Sequence, residues 1–307
     1  MILTVCMSPC TDVTVELDAL NVGRLNVVKS KQMTFGGKAL NVAIGVKRLG
    51  GDSFATGLMY NENGNTFESA LNKEGVPFTF VWNKGRAREN YKIIDNRSML
   101  TEINDVGEEI SKEKAQEVLS MVSMLSAKSS IVVLSGSLPR GLDADYYGKL
   151  AKAVNPACMK IVDAESARVF AALETGVDLL KVNLEEFENT LGRRIADKDD
   201  MLAGCNELIS RGAKRVLLSL GKQGAVLTNG KQAYYCKSMN VAVNSTVGAG
   251  DGMVAAAALK LKQDAPLSEI LRAGVAAGTA TVMTVGQVSF AKEKYNEVLA
   301  NLRVTEL

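Results

Sequence analysis

Residues Ser245 to Gly252 read STVGAGDG, and the rest of the chain can be read outward from them. Val241-Ala242-Val243, just upstream, is short and apolar, the pattern of a buried strand. Downstream, Met253 to Lys262 (MVAAAALKLK) is built mostly from strong helix formers. Strand, glycine-rich turn and helix therefore follow one another. Gly248 and Gly250 carry no Cβ, so the backbone can turn tightly and approach a ligand. The N–H groups of the helix's first turn have no intrahelical partner. With the helix dipole they suit a phosphate. Asp251 stands where the helix begins. It is either an N-cap or a base acting on a hydroxyl that attacks the phosphate. The loop alone fits both readings. It is not a Walker A loop, because G-x-x-x-x-G-K-[ST] occurs nowhere in the chain.

The 307 residues are 47% hydrophobic and 23% charged, with a net charge of +2. That composition suits one large α/β core with a small appendage. No long run of one charge sign points to nucleic acid or to a membrane surface, and no apolar stretch reaches the length of a span. MILTVCMSP at the start lacks the features of a secretion signal and reads as a strand, so a cytoplasmic location is expected. The five cysteines, Cys6, Cys10, Cys158, Cys205 and Cys236, are scattered and form no C-x-x-C pair. Buried free thiols are expected. The chain has no histidine. Histidine-based nucleophilic triads and histidine-ligated zinc are excluded, and any acid–base work falls to carboxylates, lysines or tyrosines.

From Ser111 onward, strand and helix patterns alternate. That argues an α/β fold with a mostly parallel central sheet covered by helices on both faces. Short β runs without helices between them, over about 13–35 and 78–104, are expected to form a small separate sheet within a single domain spanning 1–307. Ligands of such a sheet gather at the carboxyl ends of its strands. The polar residues found there are Asp12, Ser135 with Ser137, Asp163, Asn183, Ser219 with Gly221, and Asp251. Each alone could be a turn former. A second glycine loop, Phe35-Gly36-Gly37-Lys38, opens a helix and is followed by Asn41. It can receive an anion or a polyhydroxy substrate on backbone N–H groups, or can simply be a turn with a solvated lysine.

Five blocks together carry a family resemblance. STVGAGDG and FGGKALNVA (Phe35 to Ala43) resemble the C-terminal and N-terminal signatures of the ribokinase-like sugar kinases, in their phosphofructokinase-B branch. SGSLPRG (Ser135 to Gly141), KVNLEE (Lys181 to Glu186) and SLGKQGA (Ser219 to Ala225) resemble further blocks in the same order. The resemblance covers essentially the whole chain. It implies a doubly wound α/β domain with a β-sheet lid, and phosphoryl transfer from ATP with Mg²⁺ to a sugar hydroxyl. It implies Asp251 as the catalytic base, with Gly248, Ala249 and Gly250 as the anion hole. Lys181, Asn183, Ser219, Gly221 and Gly224 would bind the nucleotide, and Glu186 the metal. Asp12, Gly37, Asn41 and Ser137 would hold the sugar. Arg24, Lys38 and Arg88 would hold the phosphate that the sugar already carries.

Thr101-Glu102-Ile103-Asn104 resembles the 1-phosphofructokinase lid more than that of tagatose-6-phosphate kinase. Fructose 1-phosphate is accordingly the expected substrate. Tagatose-6-phosphate kinase and 6-phosphofructokinase activities are the alternatives within the class, and a non-catalytic sugar-phosphate sensor is the alternative outside it. A homodimer paired through the lid is also expected. The chain departs from the family's usual pattern at Ala39 (glycine), Val182 (proline) and Thr284 (asparagine).

Overall fold

In a computed structural model that describes residues 1–97, 99–164, 166–284 and 290–307, two sheets divide the chain. The first element, β1 (Ile2–Cys6), is buried along its whole length. The chain then leaves for a small sheet, β2 (Cys10–Glu16) and β3 (Ser30–Gly36), and returns through α1 (Lys38–Arg48) to β4 (Ser53–Tyr60), α2 (Gly64–Lys73) and β5 (Val81–Asn83). A second visit to the small sheet lays down β6 (Arg88–Ile94) and β7 (Leu100–Asn104). Alternation follows: α3 (Lys112–Ser126), β8 (Ile131–Ser135), α4 (Tyr146–Ala153), β9 (Met159–Asp163), α5 (Ala167–Leu173), β10 (Leu179–Asn183), α6 (Leu184–Leu191), α7 (Lys198–Ser210) and β11 (Val216–Ser219). The chain ends with β12 (Ala225–Thr228), β13 (Ala233–Cys236), α8 (Ala249–Lys262), α9 (Leu267–Val282), α10 (Lys292–Asn301) and β14 (Val304–Glu306).

The large sheet runs β14-β13-β12-β11-β10-β9-β8-β1-β4-β5. From β11 to β5 all pairings are parallel, whereas β12, β13 and β14 are added antiparallel. Strand alternation sorts the core onto two faces. Leu3 and Val5 of β1 face a core built with α3 to α7, and Ile2 faces one built with α1, α8, α9 and α10. The sheet is thus covered on both sides. The strand order reverses at β1, which has β4 on one flank and β8 on the other. Such a reversal opens a crevice beyond the strands' carboxyl ends. The small sheet, in order β3-β2-β6-β7, stands there. It also divides by alternation. Val13 and Val15 pair with Tyr91 and Ile93 on one face, and Asp12 pairs with Asn90 on the other.

Two expectations are corrected. Phe78 to Trp82 does not belong to the small sheet: β5 pairs with β4, and Phe78 bridges Ala55, at the edge of the large one. Phe80 is buried in the core between α1, α2 and β4, which draws the segment there. Val241-Ala242-Val243 is not a buried strand, for Val243 is 59% exposed and the segment has no sheet partner among the described residues. The loop is instead hung on the end of α9, where Asn244 N–H donates to Val282 O at 2.8 Å. At the other edge, β14 pairs antiparallel with β13. The cysteines are all buried and unpaired, as expected. Among the described residues, no helix is long and apolar enough to cross a membrane.

Candidate active site

Helix α8 begins at Ala249, one turn earlier than its alanine run suggests, with Gly248 as N-cap at φ 80°. A left-handed N-cap of this kind favours glycine. Among the described residues, no side chain caps the helix. Asp251 is therefore the third helical residue and not a cap, which removes that half of the ambiguity. It is 5% exposed. Its Oδ2 accepts a hydrogen bond from Asn41 Nδ2 at 2.7 Å, across from α1. Burial pushes its pKa up to about 6, and the nearby negative charge of Asp163 adds to the effect.

Gly37 caps α1 at φ 133°, and a Cβ there would meet Cys6 Sγ at 3.0 Å. This tight fit sets Lys38 and Asn41 on the helix turn that faces α8. Lys38 Nζ lies 3.1 Å from Glu186 Oε1 and 3.6 Å from Asp163 Oδ1. Asp163 ends β9 with no exposed surface. It also receives Lys181 Nζ at 3.1 Å and the Ser135 hydroxyl at 2.9 Å. Burial opposes its ionisation, but Lys181 and Lys38 outweigh burial and hold its carboxyl below the usual range. The charge of Asp163, and next that of Glu186, raises the pKa of Lys38, so the lysine stays protonated. Lys181 lies against the glycine loop: a Cβ on Gly250 would sit 2.8 Å from its Nζ. The loop's open N–H groups and two lysines thus converge on one place, an arrangement suited to a phosphate.

Asn183 and Glu186 form a reciprocal capping box at the start of α6. Asn183 Oδ1 accepts from Glu186 N–H, and Glu186 Oε2 from Asn183 N–H, each at 2.8 Å. With Lys38 on Oε1, both oxygens of Glu186 already have partners. Among the described residues, no group of three or more histidine, cysteine or acidic side chains could hold a metal. The donor set fits Mg²⁺ that arrives on phosphate oxygens, keeps much of its water and meets one carboxylate.

On the opposite wall, Asp12 Oδ1 accepts from Asn90 Nδ2 at 3.2 Å. The Arg88 guanidinium donates to Asn90 Oδ1, Ser137 Oγ and Asp105 O at 3.3–3.4 Å, while its Nε is buried without a partner among the described residues. These two walls enclose one cleft of about 440 Å³. Of the residues singled out in the sequence, Asp12, Gly37, Lys38, Asn41, Arg88, Ser137, Lys181, Asn183, Glu186, Gly248, Gly250 and Asp251 line it. Ser219 is next door, in register with Asn183 on the adjacent strand. Ala249, Gly221 and Gly224 do not line the cleft. Gly221, at φ 58°, starts a 3-10 turn over Gly221–Gln223. Gly224 has a structural reason to be glycine, because at φ 105° a Cβ would lie 2.0 Å from Cys236 O. Arg24 sits on an exposed excursion between β2 and β3, away from the cleft of its own chain.

Sequence reasoning missed Asn90, Lys92, Asn104 and Arg168, which also line the cleft. A signal was there for the first three. Arg88, Asn90 and Lys92 alternate along β6, as Glu102 and Asn104 do along β7. Polar residues at a period of two mark one face of a sheet.

The family model of the pfkB family carbohydrate kinases matches residues 5–294. The chain is 31% identical over 288 residues to the ATP-dependent 6-phosphofructokinase isozyme 2 of Mycobacterium tuberculosis, covering 93% of this chain and 85% of that one. It is 30% identical over 308 residues to the 1-phosphofructokinase of Bacillus subtilis, covering all of both chains. Among solved structures, phosphofructokinase-2 from Escherichia coli in complex with potassium superposes with a TM-score of 0.90. It shares 29% identity and covers 97% of this chain and 98% of that one. With the fold, the glycine loop and the cleft all in agreement, the chain belongs to the pfkB family of carbohydrate kinases.

Proposed function

We propose that this ATP-dependent sugar-phosphate kinase acts on fructose 1-phosphate and yields fructose 1,6-bisphosphate. The observation that carries phosphoryl transfer in this reading is the position of Asp251. It is buried, it caps nothing, and it is held by Asn41 beside an anion loop. Arg88 and Ser137 stand on the other wall of the same cleft.

In this reading the sugar lies across the cleft with its phosphate at Arg88 and Ser137 and its free terminal hydroxyl at Asp251. Asn41 holds Oδ2 and leaves Oδ1 for the substrate. Asp251 takes the hydroxyl proton as the oxygen forms its bond to the γ-phosphorus and the bond to ADP breaks. The N–H groups of the loop and the ammonium of Lys181 stabilise the charge on the transferring phosphoryl oxygens. Lys38 shares that task from the α1 side. Glu186 would be the protein's contact to Mg²⁺, which would supply further charge neutralisation. Asp12, Asn90 and Asn41 present amide and carboxylate groups to the sugar hydroxyls. Every group needed for positioning and charge neutralisation is at hand without a histidine.

The two relatives above carry the names 6-phosphofructokinase and 1-phosphofructokinase at nearly equal identity. The choice of fructose 1-phosphate therefore rests on the Thr101–Asn104 run of β7. A coupled assay of ADP release tests it over fructose 1-phosphate, fructose 6-phosphate, tagatose 6-phosphate and fructose. The highest kcat/KM is expected for fructose 1-phosphate. A maximum at fructose 6-phosphate or tagatose 6-phosphate reassigns the substrate. Absence of turnover on all four, with the fold intact, leaves the sensor reading.

A further inference from the structure

Arg88, Asn90 and Lys92 occupy alternate positions of β6 and all three line the cleft. At about 3.3 Å per residue, the Arg88 and Lys92 Cα atoms stand roughly 13 Å apart, with Asn90 between them. Arg88 leans along the strand, and its Nη1 reaches Asn90 Oδ1 at 3.4 Å. Lysine's flexible four-carbon stem lets Lys92 reach the same place from the other side. Lys92 is half-buried and has no hydrogen-bond or ion-pair partner among the described residues. Its cross-strand neighbour is Glu102, but the two form no ion pair. Asp12, opposite Asn90 on the neighbouring strand, is engaged by the Asn90 amide.

A cation kept unpaired at the side of a cleft calls for an anion. We propose that Lys92 is a specificity-determining residue: its ammonium joins the Arg88 guanidinium in holding the phosphate the sugar already carries. This rests on the sugar-phosphate kinase reading above. The two groups differ in kind. Arg88 is oriented by Asn90, Ser137 and Asp105 and fixes where the phosphate sits. Lys92 adds charge without a directional demand. Glu102 opposes it, but Glu102 is exposed and its charge is screened by solvent. A sugar without a phosphate gains nothing from Lys92. The residue therefore sets how strongly phosphorylated sugars are preferred over free ones, and leaves the transfer step alone.

The test compares wild type, Lys92→Gln and Lys92→Arg in steady-state assays with fructose 1-phosphate, fructose and ATP. Loss of a charge-assisted contact raises KM for fructose 1-phosphate about tenfold or more in Lys92→Gln. The kcat, the KM for ATP and the KM for fructose stay within about twofold, and Lys92→Arg recovers most of the loss. A Lys92→Gln enzyme with wild-type KM for fructose 1-phosphate overturns the assignment, as does one that loses fructose equally. Should wild type itself show no preference for fructose 1-phosphate over fructose, the parent reading falls and the Lys92 assignment with it. If wild type has that preference and Lys92→Gln keeps it in full, Lys92 alone is wrong.

Discussion

Asn41 Nδ2 donates to Asp251 Oδ2 at 2.7 Å, joining the first turn of α1 to the first turn of α8 across the floor of the cleft. The bond fixes the carboxylate of Asp251 in one orientation and satisfies one of its oxygens. Substituting Asp251→Asn preserves the shape but cannot accept a proton. General-base catalysis contributes about 10²–10⁴-fold. The kcat of Asp251→Asn is therefore expected to fall at least about a hundredfold, with Mg-ATP binding retained and no rescue by raising the sugar concentration. Near-normal turnover by a folded variant would assign the proton to another group.

The pKa of Asp251 gives a second, separable expectation. Burial, then the charge of Asp163, pushes it up to about 6 from an ordinary value of 3.8. As a base it works only when ionised, so kcat should rise with pH through about 6 and level off above. The stability consequence has the opposite sign. The native state holds this proton more tightly than the unfolded chain does. The group's favourable contribution is thus complete below about pH 4 and lost as pH rises through 6. Above pH 6 ionised Asp251 costs the native state a few kcal/mol, to order of magnitude. Asp251→Asn should melt above wild type at pH 7.5, and the gap should close towards pH 4. Thermal scans of the two proteins across that range decide the matter.

How much of this was legible beforehand depended on whether a feature is local. The start of helix α1 at Lys38 was readable, because glycine punctuation acts within a few positions. The place of the glycine loop and Asp251 at a helix start was readable for the same reason. What the sequence withheld was pairing. Phe78 to Trp82 looks like its neighbours β6 and β7, and only the burial of Phe80 against α1 and α2 sends it to the other sheet. Val241 to Val243 is as apolar as a strand but pairs with none among the described residues. The capping box of Asn183 and Glu186 was hidden behind their expected roles at phosphate and metal, although N-x-x-E is a capping pattern in its own right.

That double engagement of Glu186 can be taken apart. Glutamine at the same position keeps the capping box, since its amide oxygen still accepts from Asn183 N–H. It loses the negative charge that faces Lys38 and a metal. Glu186→Gln should hold its Tm within about 3 °C of wild type. It should need several-fold more free Mg²⁺ for half-maximal rate. An unchanged Mg²⁺ requirement would leave Glu186 a structural cap only.

The small sheet bears on the oligomeric state. The excursion between β2 and β3 exposes Val22 at 91%, Leu25 at 89% and Val27 at 75%, with Ile103 and Met33 exposed on the neighbouring strands. So much apolar surface on one appendage marks an interaction site. A homodimer formed through the two small sheets would cover it. It would also present Arg24, which lies outside the cleft of its own chain, to the second subunit. Sedimentation at micromolar concentration should show a dimer, and Leu25→Glu should shift it towards monomer. A wild-type monomer, with or without sugar phosphate, excludes this arrangement.

Two glycines that both resist a side chain should fail in different ways. Gly250 lies in the first turn of α8 without a positive φ, where alanine is the better helix former by roughly 1 kcal/mol. Its added Cβ meets only the end of a flexible side chain, Lys181 Nζ at 2.8 Å and Cε at 3.3 Å. The lysine must move, and its 3.1 Å contact with Asp163 moves with it. Gly250→Ala should therefore keep or raise Tm while kcat falls about tenfold or more, the scale of losing one charge-stabilising donor. Gly224 is held at φ 105° with the space for a Cβ filled by backbone, Cys236 O at 2.0 Å and Ser238 N at 2.8 Å. Nothing there can swing aside, so Gly224→Ala must shift the β12–β13 hairpin and should lose stability before it loses chemistry. The informative measurement is the pair of kcat and Tm for each variant. Full kcat in Gly250→Ala would mean that Lys181 does not serve the transferring phosphate. A large loss of Tm in that variant would mean that Lys181 is there to hold the fold.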